Sequence, residues 1–499
     1  MRSHHSHFPC GRMRVLLGVA LFLCVLSACT SGGTAKTGTG GQGPTSSQEP
    51  AACSAPANGE PPPPLKPTTL TTIEQAYWCL FDHYVTGKTL DDRTLLNGAL
   101  SGLIQELLRR GRDQSSAMLP ALTGNRQSDW HAFSAMYQQV SAALPQDASL
   151  QQALAAAIMQ GMVQSLNNDH TRWIRQAPFP ESLRKQFPHG AAYSLGFTTS
   201  ADSVDGTALP EAQPPLFLVS VDPDSPAALK GLRSGDIITA VNGIAPFADD
   251  QFNSGLMSWL DPAFPQDFQT PAPRVQVTLT RPSTGQHWTV SLQPALYAPP
   301  PIVTARVLAN SIAYVHMAGF LPNAATLVEQ AIQGLHLGKN LRGIILDLRS
   351  NGGGAPEGVA ELLGAFVHNK IWSYDIDQDG KHTANSTSYT VPLLHQPLVV
   401  LTDRRCVSAC DAFTGAVRDL GLGKIVGTRT GGRVSGPAGV YLLDDGSSLL
   451  IPSFSEVGAH GETIDGIGVA PDDNVPLTAA ALLAGHDPEI EKAINLLRS

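Results

Sequence analysis

The sequence predicts a multidomain α/β protein with a helical amino-terminal region. The chain has 499 residues, more than a single hydrophobic core usually organises. Apolar residues such as Ile73, Tyr77 and Leu80 recur at three- and four-residue steps early in the folded part, which is typical of amphipathic helices. From residue 298 onward, short apolar runs typical of buried strands alternate with helical patterns, and this alternation indicates a layered α/β domain.

The composition limits the possible classes of function. Hydrophobic residues make up 42% of the chain and charged residues 15%, which excludes wholesale disorder. The net charge of −9 predicts an acidic surface that does not attract phosphate backbones, so we expect no nucleic-acid partner. We find no cluster of His, Cys, Asp or Glu at metal-ligand spacing, and therefore expect no metal and no other cofactor.

The amino terminus predicts export. Arg12 and Arg14 precede an apolar run at residues 15–26, which is too short to span a bilayer and is typical of a secretory signal. The run ends in Leu26-Ser27-Ala28-Cys29, which resembles the lipobox of bacterial lipoproteins. The resemblance implies a signal at residues 1–29, lipidation of Cys29 and a lipid anchor on the outer face of a bacterial membrane. Ordinary cleavage beside an incidental cysteine is the alternative.

A disordered tether is predicted at residues 30–67, which are almost entirely Gly, Ser, Thr, Pro, Ala and Gln and cannot bury a core. Beyond the leader lie four cysteines, Cys53, Cys79, Cys406 and Cys410. An even number in an oxidising compartment is compatible with disulfides, and the sequence leaves all three pairings open.

Three folded domains are predicted after the tether. Residues 68–190 form a helical domain, whose Ala-rich run at 150–166 ends at the polar turn that contains His170. Residues 191–297 contain short β-type runs separated by turns. Residues 298–499 form the α/β core domain.

The middle domain contains a recognisable segment. Residues 225–243 resemble the most distinctive stretch of a PDZ domain, and Leu195-Gly196-Phe197 resembles its carboxylate-binding loop. In that loop, backbone N–H groups capture the terminal carboxylate of a peptide while the peptide adds a strand to the sheet. The resemblance implies that residues 191–297 bind protein or peptide substrates by their free C-termini.

The first candidate catalytic element is a glycine-rich turn after an apolar strand. It reads Asp347-Leu348-Arg349-Ser350-Asn351-Gly352-Gly353-Gly354. Glycines allow backbone N–H groups to point into one small space, which suits an oxyanion. A flexible strand-to-helix turn is the alternative.

The second element is Ser408, which lies between an apolar run at 398–401 and a predicted helix. A serine at such a turn exposes its hydroxyl beside the N–H of Ala409, where the helix dipole favours negative charge. A helix N-cap is the alternative. Cys406 and Cys410 flank Ser408. They form either a disulfide that stiffens the turn or two buried thiols, and the sequence leaves both open.

The order of these motifs resembles the C-terminal-processing (tail-specific) and tricorn-core family of serine peptidases. The likeness covers about residues 70–480 and includes Asp169-His170-Thr171, the PDZ segment, both turns of the core domain, and residues 465–472. It implies a crotonase-like (spiral ββα) peptidase core with an inserted PDZ domain. It also implies Ser408 as nucleophile, with Gly352, Gly353 and Ala409 as oxyanion donors.

The chain departs from the tail-specific pattern at the catalytic base. Those members carry Lys in a Gly-rich turn after the next strand, whereas this chain has Arg433, which stays protonated. Branches similar to the tricorn core use His with an acidic residue, and His170 and Asp465 match those positions. A neutral imidazole accepts the serine proton near neutral pH, and a carboxylate fixes its tautomer. Asp is shorter than the usual Glu, which leaves a water-mediated contact open.

We therefore predict a lipid-anchored extracytoplasmic serine endopeptidase with a Ser408–His170–Asp465 triad. We expect it to hydrolyse peptide bonds in chains captured by their C-terminus. The alternative is a catalytically inactive PDZ-containing lipoprotein that binds peptides or another ligand, because the chain lacks the Lys and has Asp in place of Glu.

Overall fold

The computed structural model describes residues 53–56, 63–168, 170–175, 181–188, 190–262, 271–434, 436 and 438–498. The predicted signal at 1–29 with Cys29, the first part of the predicted tether, and Asp169 lie outside the described residues. The described chain forms two compact units. The smaller contains residues 181–200 and 213–300, and the larger contains the rest. In the described ranges, no helix combines the length and apolarity needed to cross a bilayer.

Four helices open the larger unit, each begun by a polar residue whose side chain accepts a hydrogen bond from the first turn. The helices are α1 (Leu70–His83), α2 (Asp92–Arg109), α3 (Arg126–Ala142) and α4 (Ala148–Gln164). A short strand, β1 (Arg172–Ile174), follows α4 after the turn that contains His170. Three of these helices overlap the predicted helical runs, and α3 is additional.

The smaller unit is built mainly of short antiparallel strands. Its elements are α5 (Glu181–Gln186), β2 (Ala192–Ser194), β3 (Phe197–Thr199), β4 (Leu218–Val221), α6 (Pro226–Leu229), β5 (Ile237–Val241), β6 (Phe247–Ala248), β7 (Gln251–Phe252), α7 (Met257–Leu260), β8 (Val275–Arg281), β9 (Gln286–Leu292) and β10 (Ala295–Tyr297). Strands β5, β8 and β9 form one sheet, and β3 with β4, β10 with β2 and β6 with β7 form antiparallel pairs.

The rest of the larger unit alternates strands and helices. Its elements are β11 (Val303–Leu308), β12 (Ile312–Met317), α8 (Ala324–Gln333), β13 (Gly343–Asp347), α9 (Pro356–Gly364), β14 (Ile371–Ile376), β15 (His382–Ser386), β16 (Leu398–Thr402), α10 (Ala409–Asp419), β17 (Gly423–Gly427), β18 (Ala438–Leu442), β19 (Ser448–Pro452), β20 (Ser455–Gly458), β21 (Asp473–Asn474), α11 (Ala479–Leu483) and α12 (Pro488–Leu496). Six strands form the central sheet in the order β11-β12-β13-β16-β17-β21, and all neighbours except β11 and β12 are parallel.

Helices cover both faces of this sheet. Ile344 and Leu346 of β13 belong to the core cluster that includes residues of α8, α9 and α10. The intervening Ile345 packs with Ile490 and Ala493 of α12. Alternate side chains of a strand point to opposite faces, so a strand buried on both sides is apolar throughout. The α/β class predicted for this region is confirmed.

The division into domains differs from the prediction of separate regions at 68–190 and 298–499. Leu443, Leu449 and Ile451 belong to the same apolar cluster as the four amino-terminal helices. Strand β1 also pairs antiparallel with β19. The helical region and the core are therefore one compact unit. Residues 201–212, inside the predicted range 191–297, also belong to this larger unit.

The described residues of the predicted tether at 30–67 contact the folded part of the chain. Cys53 forms a disulfide with Cys79 of α1, and Ser54 forms an isolated antiparallel β-bridge with Leu442. Further on, the N–H of Lys66 donates to the carbonyl of Asp445 at 2.8 Å. Composition alone did not reveal this packing, because a disulfide and backbone hydrogen bonds fix the segment without a core of its own.

Candidate active site

Three turns meet at one edge of the central sheet. They follow β13, β16 and β17, which are adjacent and parallel, and the carboxyl ends of parallel strands lie at the same edge. We call them the glycine turn (348–354), the serine turn (403–408) and the arginine turn (428–434). The N–H of Val407 donates to the Asn351 carbonyl at 3.1 Å, and the N–H of Ser408 donates to the Arg433 carbonyl at 3.0 Å. The fold therefore brings Ser408 next to the glycine turn.

Ser408 has an unusual backbone conformation, with φ 58° and ψ −123°, directly before α10. A positive φ is strained for a residue with a side chain and persists only where the surroundings impose it. A strained serine between a strand and a helix is the geometry that exposes a nucleophilic hydroxyl. This conformation supports the predicted nucleophile role.

Asp411 holds the serine and arginine turns together. Its buried carboxylate accepts hydrogen bonds from the N–H groups of Ser408 at 3.1 Å, Gly432 at 2.9 Å and Arg433 at 3.0 Å. Burial raises the pKa of Asp411, and its hydrogen bonds, among them one from Thr430, oppose that effect. We did not identify Asp411 from the sequence, although an acidic residue three positions after a serine at a helix start is a signal for a capping box.

The glycine turn places backbone N–H groups beside Ser408. A Cβ on Gly353 would lie 2.7 Å from the Cβ of Ser408 and 3.0 Å from the nitrogen of Ala409, so the backbone approaches both closely. The N–H of Gly353 donates to Oδ1 of Asn351 at 2.9 Å. In the part of the chain that the structure describes, the N–H groups of Gly352 and Ala409 have no acceptor. These two groups are the better placed of the predicted donors for developing negative charge.

Asp465 and Ser408 are both hydrogen-bonded to the arginine turn. Its Oδ1 accepts a hydrogen bond from the N–H of Val434 at 2.9 Å, and the next residue, Gly466, donates to the carbonyl of Gly432 at 2.6 Å. Burial and then the charge of Asp465 raise the pKa of Tyr84, which caps the end of α1. Asp465 therefore lies near both the serine turn and the helical region.

His170 belongs to the helical region of the larger unit. It lies in the half-buried turn between α4 and β1, where its N–H donates to Oδ1 of Asn168 at 3.0 Å. Two residues later, Arg172 begins the pairing of β1 with β19 of the core. The packing of the helical region on the core thus includes His170 in the unit that contains Ser408 and Asp465.

Arg433 and the nearest lysine after Ser408 both pair with carboxylates. Nη1 of Arg433 pairs with Oδ2 of Asp205 at 2.7 Å, and a guanidinium stays charged. Lys424, the nearest lysine after Ser408, lies in β17 with its ammonium on Asp472 at 3.2 Å.

A disulfide encloses Ser408. Cys406 and Cys410 are bridged, with their Cα atoms 5.2 Å apart and both side chains fully buried. Of the two sequence-based alternatives, the bridge is present. The nucleophile therefore lies within a covalent ring four residues in span.

Arg349 ties the glycine turn to the carboxyl-terminal helix. Its guanidinium pairs with Asp347 at 2.5 Å, with Asp487 at 2.8 Å and with Glu489 at 2.9 Å. Asp487 caps α12 and Glu489 lies in its first turn. The Asp-Leu-Arg part of the motif is thus a structural anchor for the turn.

A metal-like grouping occurs elsewhere in the described ranges, at Cys53, Cys79 and His83. The two sulfurs are joined in a disulfide, so they are not thiolates and do not have the chemistry of ligands.

In the smaller unit, the predicted carboxylate-binding loop Leu195-Gly196-Phe197 joins β2 to β3. Gly196 has φ +86°, and a Cβ there would lie 2.0 Å from the Cβ of Ser225, so the position requires glycine. The hydroxyl of Ser225 donates to the carbonyl of Gly196 at 3.1 Å, which fixes the loop against α6.

Comparisons with known proteins agree with these features. Residues 311–475 match Peptidase family S41, and residues 217–251 match a PDZ domain. The chain is 28% identical over 329 residues to the chloroplastic carboxyl-terminal-processing peptidase 2 of Arabidopsis thaliana, covering 63% of this chain and 59% of that protein. It is 32% identical over 157 residues to the tricorn protease of Thermoplasma acidophilum, covering 31% and 14%.

The chain thus spans less than two thirds of the length of these relatives. Among solved structures, the photosystem II D1 C-terminal processing protease is similar with a TM-score of 0.49 and 23% identity, covering 86% of this chain and 97% of that one.

Proposed function

Because this chain contains a peptidase family S41 domain and a PDZ domain, we propose that it is an exported serine endopeptidase that cleaves chains captured by their C-terminus. The observation that carries the proposal is the strained backbone of Ser408 beside the N–H groups of Gly352 and Ala409. A strained serine next to two available donors is the arrangement needed for acyl transfer.

In the proposed reaction, Oγ of Ser408 attacks the carbonyl carbon of the scissile bond and its proton passes to the imidazole of His170. The carbonyl oxygen becomes an oxyanion, which accepts hydrogen bonds from Gly352 and Ala409. The imidazolium then donates its proton to the leaving amine as the C–N bond breaks. Water, deprotonated by His170, hydrolyses the acyl-enzyme and restores Ser408.

Asp465 supports the charge that forms on His170 during these steps. The attachment of Asp465 to the arginine turn by the N–H of Val434 supports this role, because Ser408 is attached to the same turn. Arg433 pairs with Asp205 and Lys424 pairs with Asp472, so neither cation is directed to Ser408 as a base, which favours His170 in that role.

The PDZ domain would bind the substrate's terminal carboxylate at Leu195-Gly196-Phe197. An assay with two peptides of one sequence tests this role. One peptide has a free carboxyl end and the other is amidated. The proposal predicts a lower KM for the free acid, and equal KM values would contradict it.

We also propose that Cys29 carries a lipid anchor that holds the protein at the outer face of a bacterial membrane. The signal-like residues before Cys29 support this, and the two disulfides suit an oxidising compartment. In cells, C29A should move the protein from the membrane to the soluble fraction, and an unchanged membrane fraction would contradict the anchor.

The test of the enzymatic proposal is proteolysis of an unfolded protein by the full chain and by S408A. We expect cleavage by the wild type and none by S408A. Peptide binding without turnover in the wild type would instead support the binding lipoprotein, which the replacement of the family's Lys by Arg433 favours.

A further inference from the structure

A short segment of the larger unit lies between two strands of the smaller unit in sequence. Residues 201–212 lie in sequence between β3 and β4 of the smaller unit, yet they belong to the larger unit. The segment is folded on itself. The N–H of Leu209 donates to the carbonyl of Ala201 at 2.8 Å, and Asp202 forms an isolated antiparallel β-bridge with Ala208. Asp202 and Ser203 are buried. This is an ordered structure and not a loose connection.

The segment carries three acidic residues, each paired with an arginine close to Ser408. Nη1 of Arg433 lies 2.7 Å from Oδ2 of Asp205. Arg404 pairs with Glu211, and Nη1 of Arg405 lies 3.7 Å from Oδ2 of Asp202. Two of these arginines belong to the serine turn and the third to the arginine turn. The segment therefore contacts both turns.

Arg433 is the best anchored of the three arginines. Its second nitrogen, Nη2, donates to the hydroxyl of Ser203 at 3.0 Å, so the guanidinium makes two hydrogen bonds to the segment. Its side chain is 26% exposed and that of Asp205 is 21% exposed, whereas that of Glu211 is 48% exposed. A partly shielded, forked contact is stronger than an exposed single one.

The main chain of Arg433 connects this contact to the nucleophile. Its carbonyl accepts the hydrogen bond from Ser408, and its N–H donates to the carboxylate of Asp411 that also receives the Ser408 N–H. Arg433 therefore contacts or supplies both acceptors of the Ser408 N–H, and its displacement would disturb them.

We propose that segment 201–212 is an electrostatic clamp that positions Ser408 through Arg433. The inference rests on the proposed peptidase function and assigns a new role to the position where tail-specific peptidases have a lysine. In this chain, that position supports the nucleophile mechanically and takes no proton. Arg433 and Asp205 are positioning residues, since neither touches the reacting atoms.

The clamp remains charged over the working range of pH. Burial would raise the pKa of Asp205, but hydrogen bonds from Thr207 and Arg433 outweigh it and lower the pKa to about 2. A guanidinium does not titrate in proteins. Loss of the clamp should therefore lower the rate without moving the acidic limb of the pH–rate profile.

The test compares four variants of the full chain with the wild type: D205N, R433Q, the charge swap D205R/R433D, and the control D473N. The control removes a carboxylate from a pair of equal distance, Asp473 of β21 and Lys492 of α12 at 2.7 Å, neither of which belongs to segment 201–212 or to the three turns. We expect D205N and R433Q each to lower kcat about tenfold with little change in KM, because the lost interaction acts on the reacting geometry. The charge swap should recover part of the loss, and D473N should match the wild type.

Wild-type kcat in both D205N and R433Q would overturn the clamp. The clamp would also be overturned if the charge swap lowered kcat by as much as the product of the two single reductions. Coupled residues should deviate from such additivity. If the wild type shows no turnover, the proposed function fails, and the clamp is then judged by amide hydrogen exchange. Faster exchange at residues 404–411 in D205N than in D473N supports the clamp, and equal exchange refutes it.

Discussion

The carboxylate of Asp411 accepts a hydrogen bond at 3.1 Å from the N–H of Ser408, three residues earlier in the chain. The same carboxylate receives N–H groups of Gly432 and Arg433 from the facing turn. One buried carboxyl group thus holds the nucleophile's backbone and the turn to which Asp465 is attached. The strained conformation of Ser408 depends on these contacts.

Replacing Asp411 by Asn should lower both stability and turnover. The amide keeps one acceptor oxygen but directs an NH₂ group toward backbone donors, and such a loss costs about 1–3 kcal/mol. Denaturant unfolding and kcat are the measurements. D379N, at an exposed hairpin carboxylate, is the control and should behave as wild type. An unchanged D411N would show that the contact is dispensable.

Replacing Gly353 by Ala should destabilise the protein by more than about 1 kcal/mol, since the position has a positive φ. The added Cβ would also lie 2.8 Å from the carbonyl oxygen of Val407. The comparison is with G352A, where an added Cβ meets no atom within 4 Å. We expect unfolding in denaturant to separate the two variants, with G352A near the wild type in stability. Equal stabilities would argue against the close approach of the glycine and serine turns.

Removal of one disulfide should mainly reduce activity, and removal of the other should mainly reduce stability. C406A/C410A removes the ring around Ser408, so we expect a reduced kcat. C53A/C79A removes a loop of 26 residues, which restricts the unfolded chain more than a loop of 4, so we expect the larger fall in melting temperature. Turnover and thermal unfolding of both variants test this. Full kcat in C406A/C410A would remove the bracing role of the bridge.

The buried Glu489, which pairs with Arg349 of the glycine turn, should make the free energy of unfolding depend on pH. Burial raises the pKa of Glu489 from 4.5 to about 8, although Arg349 opposes this shift. The native state therefore retains a proton that the unfolded chain releases. The resulting stability is fully present below pH 4.5 and is lost as the pH rises through 8, at no more than about 1.4 kcal/mol per pH unit.

E489Q should flatten this decline, because Gln does not titrate while Arg349 still pairs with Asp347 and Asp487. The free energy of unfolding across this pH range is the measurement. E491Q, at an exposed position on the same helix, should keep the wild-type slope. Identical slopes in E489Q and wild type would refute the assignment.

The core of the fold was accessible from sequence because its strands are buried on both faces. The runs at 344–346 and 398–401 are apolar without interruption, and they lie in β13 and β16. Helix α3 has a different signal, the helical periodicity of buried apolar residues. They are Trp130, Phe133, Tyr137 and Val140, at three- and four-residue steps. Polar stretches on both sides of this helix make the signal weak in the sequence.

The long-range ion pairs could not be predicted. Arg349 and Glu489 are 140 residues apart, and Arg433 and Asp205 are 228 apart. No local pattern selects such partners, since the fold of the intervening chain decides which charges meet. The site residues themselves came from motif order, and only the structure revealed the supports around them.

The measurement that tests the central claim most directly is the rate at which a fluorophosphonate labels Ser408 in the wild type, H170A and D465N. If His170 takes the serine proton, H170A should label at least about 10³-fold more slowly than the wild type, because removing a triad base disables the nucleophile. D465N should fall between them. Equal labelling of wild type and H170A, or no labelling of wild-type Ser408, would contradict the triad.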